Sequence, residues 1–185
     1  MRGRYWFPKP YADLVQRLRV PCGFLLAGAF AWLSRPSAAT LAMGVPVALA
    51  GLALRAWAAG HLAKNERLAT SGPYARTRNP LYLGTLIVAA GLVIAAHRLE
   101  LAALSGAVFA LIYLPAIELE EQHLRKLFPR YAEYAVNVPL LWPRARRWGD
   151  AGRFRAGLYL HNREYQALLG FLAGVALLAW KAAAL

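Results

Sequence analysis

Apolar residues run almost unbroken through positions 20–33, 39–60, 81–96, 99–117 and 165–180, while charged and turn-forming residues collect between these runs. Each run approaches the roughly 17–25 residues needed to cross a bilayer as a helix, so the pattern predicts about five transmembrane helices. The first and third are the shortest, and in the alternative reading one of them enters only partway or lies in the interface. Ser34-Arg35-Pro36-Ser37 and His97-Arg98-Leu99-Glu100 are such short links that spans one and two, and spans three and four, are each expected to form an antiparallel hairpin. The expected fold class is therefore all-α: an integral membrane helical bundle, with residues 1–185 forming a single membrane domain. Within it, residues 1–19 are expected to be an interfacial segment rich in Tyr5, Trp6, Phe7 and Tyr11, and residues 157–185 to hold an additional C-terminal membrane helix. Trp6, Pro8, Pro10 and Asp13 break up any secretory-signal pattern, so the first span is expected to be retained.

Composition agrees with a membrane protein: 59% of residues are hydrophobic, although the net charge is +13. The distribution of that charge carries more information than its size. Segments 1–19, 61–80 and 118–164 hold 5, 4 and 9 of the Lys and Arg residues, whereas the opposite loops and terminus hold Arg35, Arg98 and Lys181. Basic loops stay on the cytoplasmic side, which places the N-terminus and the longer loops inside a bacterial inner membrane and the C-terminus outside. The basic surplus then serves topology and attraction to membrane lipids, and no nucleic-acid partner is expected.

Cys22 is the lone cysteine, which rules out an internal disulfide or a thiolate metal cluster. His61, His97, His123 and His161 are dispersed, with no pair at ligand spacing, so no metal site is expected. There is no internal repeat of the kind that builds many transporters, and no Gly-x-Gly loop for a soluble dinucleotide fold. Gly170 and Gly174 have the spacing of close helix packing, read here as chance in an Ala/Gly-rich helix.

Two inner-side elements stand out. The first is His61–Thr70 followed by Ser71-Gly-Pro-Tyr74-Ala-Arg-Thr-Arg78-Asn79-Pro80-Leu-Tyr82-Leu-Gly84. Pro73 and Pro80 bias their predecessors away from helix and Gly72 permits a tight turn, so the backbone between them is expected to be free to meet a ligand. The second follows span four, where Glu120, Leu124, Leu127 and Tyr131 fall near one helical face. Pro129 is expected to interrupt that helix.

Together, Gly72-Pro-Tyr-x3-Arg78-Asn-Pro-x-Tyr82-x-Gly84 and Glu120-Glu121-x2-Leu124-x3-Phe128-x2-Tyr131-x2-Tyr134-x3-Val138 resemble the isoprenylcysteine carboxyl methyltransferase family and its phospholipid methyltransferase relatives. The resemblance covers about residues 55–143. It implies methyl transfer from S-adenosylmethionine to a lipophilic small molecule or prenylated substrate, an isoprenylcysteine-like carboxylate, isoprenoid or lipid, in a cytoplasmic-face pocket. Glu66, Leu68, Ala69, Tyr74, Asn79, Pro80, Leu81, Tyr82 and Glu120 match cofactor-binding positions. Arg78 and Glu121 are the expected catalytic pair, Arg78 orienting a carboxylate and Glu121 serving as base for an amine or phenol acceptor. Arg55 and Ala116 fall at expected substrate-binding positions, with snorkelling to headgroups the alternative role of Arg55.

Three departures bear on chemistry. Asn79 and Glu66 stand where the family carries histidines, and Ala116 where it often places a substrate-binding arginine. Two other readings stay open: an NADPH-dependent reductase of sterol-reductase-like architecture, for which Arg144, Arg146 and Arg147 are the candidate 2′-phosphate site, and a non-catalytic lipid-binding membrane protein.

Overall fold

The computed structural model describes residues 7–149 and 152–184, and every regular element among them is helical. They are α1 (Lys9–Leu33), α2 (Ala38–Ala59), a 3-10 turn (Gly72–Ala75), α3 (Pro80–Ala96), α4 (Leu99–Val108), a π-helical turn (Phe109–Tyr113), α5 (Leu114–Leu127), α6 (Tyr131–Asn137), α7 (Ala156–His161) and α8 (Tyr165–Ala184). α1, α2, the continuous helix Leu99–Leu127 and α8 are long and apolar enough to cross a membrane, while α3 is a shorter apolar helix. The chain is an integral membrane protein of helical-bundle class.

The first span starts at Lys9 rather than near residue 20, because residues 9–19 form the opening turns of α1. Pro10 helps to fix that start, since its locked φ suits the first turn of a helix. The expected interfacial segment 1–19 is thus not a separate element where it is described; Tyr5 and Trp6 lie outside the described residues. Nor does the short link at 34–37 produce a close α1–α2 pair, for α1 lies instead against α4, the π turn and α5.

The tightest pair is α2 with α3. Gly44 and Gly51 on α2 meet Gly91 and Gly84 on α3, and a Cβ at Gly91 would lie 2.4 Å from the Ala48 amide nitrogen. Backbone touches backbone here, as small residues permit in lipid. A Cβ at Gly170 or Gly174 on α8 would meet nothing within 4 Å, so this pair makes no such contact among the described residues. At this end of the pair, Ser37 and Thr40 form a reciprocal cap on α2, the Thr40 hydroxyl donates to the Ala95 carbonyl at 3.0 Å, and the Arg35 amide donates to the Ala96 carbonyl at 2.8 Å.

Helix 99–127 has 29 residues, about 43 Å at 1.5 Å per residue, longer than a hydrocarbon core of about 30 Å. Glu118–Leu127 therefore project beyond the span as its own continuation. The π turn precedes Pro115, which has no N–H to give to the Leu111 carbonyl four residues back. The Tyr11 hydroxyl takes that carbonyl at 2.7 Å, fastening α1 to this helix. α8 lies along α2, and Lys181 Nζ donates to the Ala31 and Trp32 carbonyls at the end of α1. The helix ends at 59, 80, 127 and 165 consequently gather at the opposite end of the bundle, together with the long loops.

Candidate functional site

A cavity of about 780 Å³ opens at this loop-bearing end, within the range of small-molecule sites. Its walls come from α1 (Lys9, Asp13, Gln16, Arg19), the loop after α2 (Leu62 to Ala69), Tyr74, the Arg78–Tyr82 entry into α3, and Tyr113 to Phe128 on the projecting helix. Arg55, Thr85, Tyr134, Asn162 and Glu164 complete it.

Gly72 sits at φ +60°, and a Cβ there would come within 2.7 Å of the His61 ring, so the turn requires glycine. The backbone that follows does not stay free for a ligand. Arg78 N–H donates to the Pro139 carbonyl at 2.9 Å, Arg144 N–H to Arg76 at 3.1 Å, and Trp148 N–H to Ala75 at 2.9 Å. The Tyr134 hydroxyl donates to the Tyr74 carbonyl at 2.8 Å, and Thr77 Oγ1 to the Leu141 carbonyl at 2.9 Å. Pro73, Tyr74, Ala75, Thr77 and Asn79 are all buried, and buried backbone groups must find partners. Tyr134 of α6 and the segment 138–148 supply them, the latter as a strap, leaving other side chains to face the cavity.

Asn79 spends its side chain on that strap, donating Nδ2 to the Leu140 carbonyl at 3.1 Å. Behind the wall, Arg78 Nε lies 3.2 Å from Glu121 Oε1, with both side chains nearly buried. Tyr131 and Tyr134 pack nearby with Val138, and Leu124, Phe128 and Trp148 close around them. Tyr131 therefore belongs to α6 and this aromatic cluster rather than continuing the Glu120 face, because the helix stops at Leu127 ahead of Pro129. Burial, and then the charge of Glu121, push the Tyr131 phenol far above its usual range. Burial likewise raises Tyr134, and raises Tyr74 with Glu120 adding to the effect. All three phenols stay protonated at neutral pH.

On the cavity face the Tyr82 hydroxyl donates to Glu120 Oε2 at 3.0 Å and accepts from Arg19 Nη1 at 3.4 Å. Tyr113 meets Tyr82 edge-on at 6.0 Å and stacks on Phe109. Arg55 does not snorkel: its Nε and Nη2 engage both oxygens of Glu164 at 2.6 and 3.0 Å, and Nη1 reaches Thr85 Oγ1 and the Leu81 carbonyl. This fork ties the start of α8 to the site.

The cavity thus gathers Arg55, Leu68, Ala69, Tyr74, Arg78, Asn79, Pro80, Leu81, Tyr82, Ala116 and Glu120. Glu66 is exposed and Glu121 faces Arg78, and neither is among the lining residues. Arg144, Arg146 and Arg147 sit exposed on the strap, outside the lining. Sequence reasoning passed over Arg19, Tyr113 and Glu164. Arg19 carried one readable signal, a helical spacing with Lys9, Asp13 and Gln16 that only a helix starting at residue 9 makes visible. Among the described residues no group of three His, Cys, Asp or Glu is placed to hold a metal ion.

Residues 47–131 match the phospholipid methyltransferase family profile. The chain is 40% identical over 116 residues to the cobalt-zinc-cadmium resistance protein CzcN of Cupriavidus metallidurans, covering 61% of this chain and 52% of that protein. It is 33% identical over 115 residues to the nickel-cobalt-cadmium resistance protein NccN of Alcaligenes xylosoxydans xylosoxydans, covering 61% and 53%. The chain spans about half the length of these curated relatives. No solved structure matches it.

Proposed function

We propose that this chain, whose residues 47–131 belong to the isoprenylcysteine and phospholipid methyltransferase membrane family, transfers the methyl group of S-adenosylmethionine to a lipophilic carboxylate at the cytoplasmic face of the membrane. One observation carries the reading. Two motif halves separated by the α3–α4 hairpin meet in one cavity, with Tyr74 and Asn79 to Tyr82 from the first and Ala116 and Glu120 from the second.

The donor set suits this cofactor. Glu120 has one oxygen fixed by the Tyr82 hydroxyl and offers its other to an α-ammonium. Tyr74, kept neutral by burial, presents a ring suited to an adenine face or a cation. Leu68, Ala69 and Leu81 form an apolar wall. Bound there, S-adenosylmethionine would supply an electrophilic methyl carbon on a sulfonium.

The chain's acids favour an acceptor that is already anionic. Glu121 is neutralised by Arg78, Glu164 by Arg55, and one oxygen of Glu120 is held by Tyr82, so none of these three acids is poised as a free base. A carboxylate needs no proton removed, and orientation with exclusion of water can supply much of the rate. The basic segments 61–80 and 118–164 converge at the cavity end, which supports a cytoplasmic, inner-membrane orientation. The relatives are named for resistance to metals, and we assign any shared role to the methylated acceptor.

Incubating membranes that contain the protein with methyl-labelled cofactor tests this directly. Methyl esters release volatile methanol in alkali, so alkali-labile label in the lipid extract, lost with Glu120→Gln, is the expected result. Absence of label, or label stable to alkali, contradicts it.

A further inference from the structure

We infer that Arg19, on α1 and outside the family-matched segment, forms the subsite for the anionic headgroup of the acceptor. The inference rests on the methyltransferase reading and adds to it a recognition residue for the acceptor's charge.

Lys9, Asp13, Gln16 and Arg19 recur at helical spacing on α1, and all four line the cavity. Polar side chains on a membrane helix are expensive and face cavities that use them. α1 is held by few buried residues, Ala12 and Val15 among the described ones, so this polar stripe is not explained by packing.

Charge balance shows what the stripe can bind. The lining holds seven Lys and Arg residues against three carboxylates. Arg55 and Arg78 are matched at close range by Glu164 and Glu121. Lys9, Arg19, Lys64, Arg67 and Lys126 have no ion-pair partner among the described residues. S-adenosylmethionine carries a sulfonium, an ammonium and one carboxylate, so its net charge is positive. It cannot balance this surplus, whereas a second, anionic ligand can.

Arg19 is the cation best placed for that ligand. Its guanidinium touches the same Tyr82 hydroxyl that holds Glu120, so one phenol separates an acid suited to the donor's ammonium from a base suited to the acceptor's anion. Ala116, also on the cavity wall, brings no charge of its own, and Arg19 supplies one from a different helix. A guanidinium can engage a carboxylate or a phosphate through two parallel hydrogen bonds.

The test uses the full chain in nanodiscs of neutral phosphatidylcholine, comparing wild type, Arg19→Gln and Arg19→Lys. Binding of a pyrene-labelled long-chain carboxylate, the matching alkyl phosphate and the methyl ester is followed by energy transfer from tryptophan. Arg19→Gln is expected to weaken an anionic probe at least about tenfold, the scale of one charge-assisted hydrogen bond. The ester is expected to bind unchanged, and Arg19→Lys to recover most of the loss. An effect on the carboxylate alone identifies a carboxylic acceptor, and an effect on the phosphate alone a phosphorylated headgroup. Equal binding by Arg19→Gln, or equal weakening of ester and anions, overturns the subsite and leaves Arg19 an anchor to lipid headgroups. If the wild type binds the anion through Arg19 but shows no heat with S-adenosylmethionine, the methyltransferase reading fails while the subsite stands.

Discussion

Replacing Glu121 by Gln separates a structural acid from a catalytic one. Its carboxylate lies 3.2 Å from Arg78 Nε, with side-chain exposures of 9% and 11%, so both charges are largely desolvated. Removing one partner of such a pair strands the other and costs about 3–5 kcal/mol. An amide still offers Arg78 an oxygen, which places Glu121→Gln near the lower bound, about 3 kcal/mol. For a chain of this size each kcal/mol moves the melting temperature roughly 2–4 °C, giving a fall of about 6–12 °C. The double change Arg78→Met with Glu121→Leu leaves no stranded charge and is expected to melt closer to wild type than either single change. Tryptophan-monitored melting in detergent, with methyl transfer assayed well below the transition, provides both readouts. A Glu121→Gln variant that melts with wild type yet loses transfer would instead make Glu121 a general base, because that is how a general base behaves.

Gly91→Val should destabilise the α2–α3 pair by about 1–3 kcal/mol through overpacking, since the new atoms meet the backbone of Ala48 and Gly44; Gly174→Val, on an open face, should melt as wild type. Tyr74, Tyr131 and Tyr134 are raised by burial, so above about pH 10, where unfolded phenols ionise, the folded state keeps protons that the unfolded state loses. Stability present below pH 10 should therefore decline at more alkaline pH, less steeply in Tyr131→Phe, and a flat denaturation profile to pH 11.5 counts against it. In a Cys22→Ala background, Asn65→Cys should react with an impermeant thiol reagent in inverted vesicles and Glu100→Cys in right-side-out cells; the reverse pattern overturns the orientation.

Hydropathy located α2 and α3 to within a residue or two, because uninterrupted apolar runs have one solution in lipid. It missed the first eleven residues of α1, where Lys9, Asp13, Gln16 and Arg19 lower the local hydropathy while serving one polar face. Glu120 was legible as a carboxylate at the base of an apolar stripe, and the break at Pro129 as a turn. The partners of buried polar groups were not legible. Arg55 meets Glu164, 109 residues away, and the backbone after Pro73 meets a strap more than sixty residues downstream. Single-sequence patterns encode local period, not the distant group that satisfies a buried donor. The α2–α3 glycines were hidden for a related reason: small residues are common throughout this chain, and only the facing helix distinguishes Gly44 and Gly91 from Gly170 and Gly174.

Calorimetric titration of S-adenosylmethionine into the purified wild type, Glu120→Gln and Glu66→Gln proteins measures whether this cavity holds the methyl donor through Glu120. The wild type should bind. Glu120→Gln should weaken binding about 10- to 150-fold, the equivalent of one charge-assisted hydrogen bond of about 1.5–3 kcal/mol, and Glu66→Gln, outside the cavity lining, should match wild type. No binding heat in the wild type, or an affinity that Glu120→Gln leaves unchanged, would contradict the assignment of this cavity to the methyl donor.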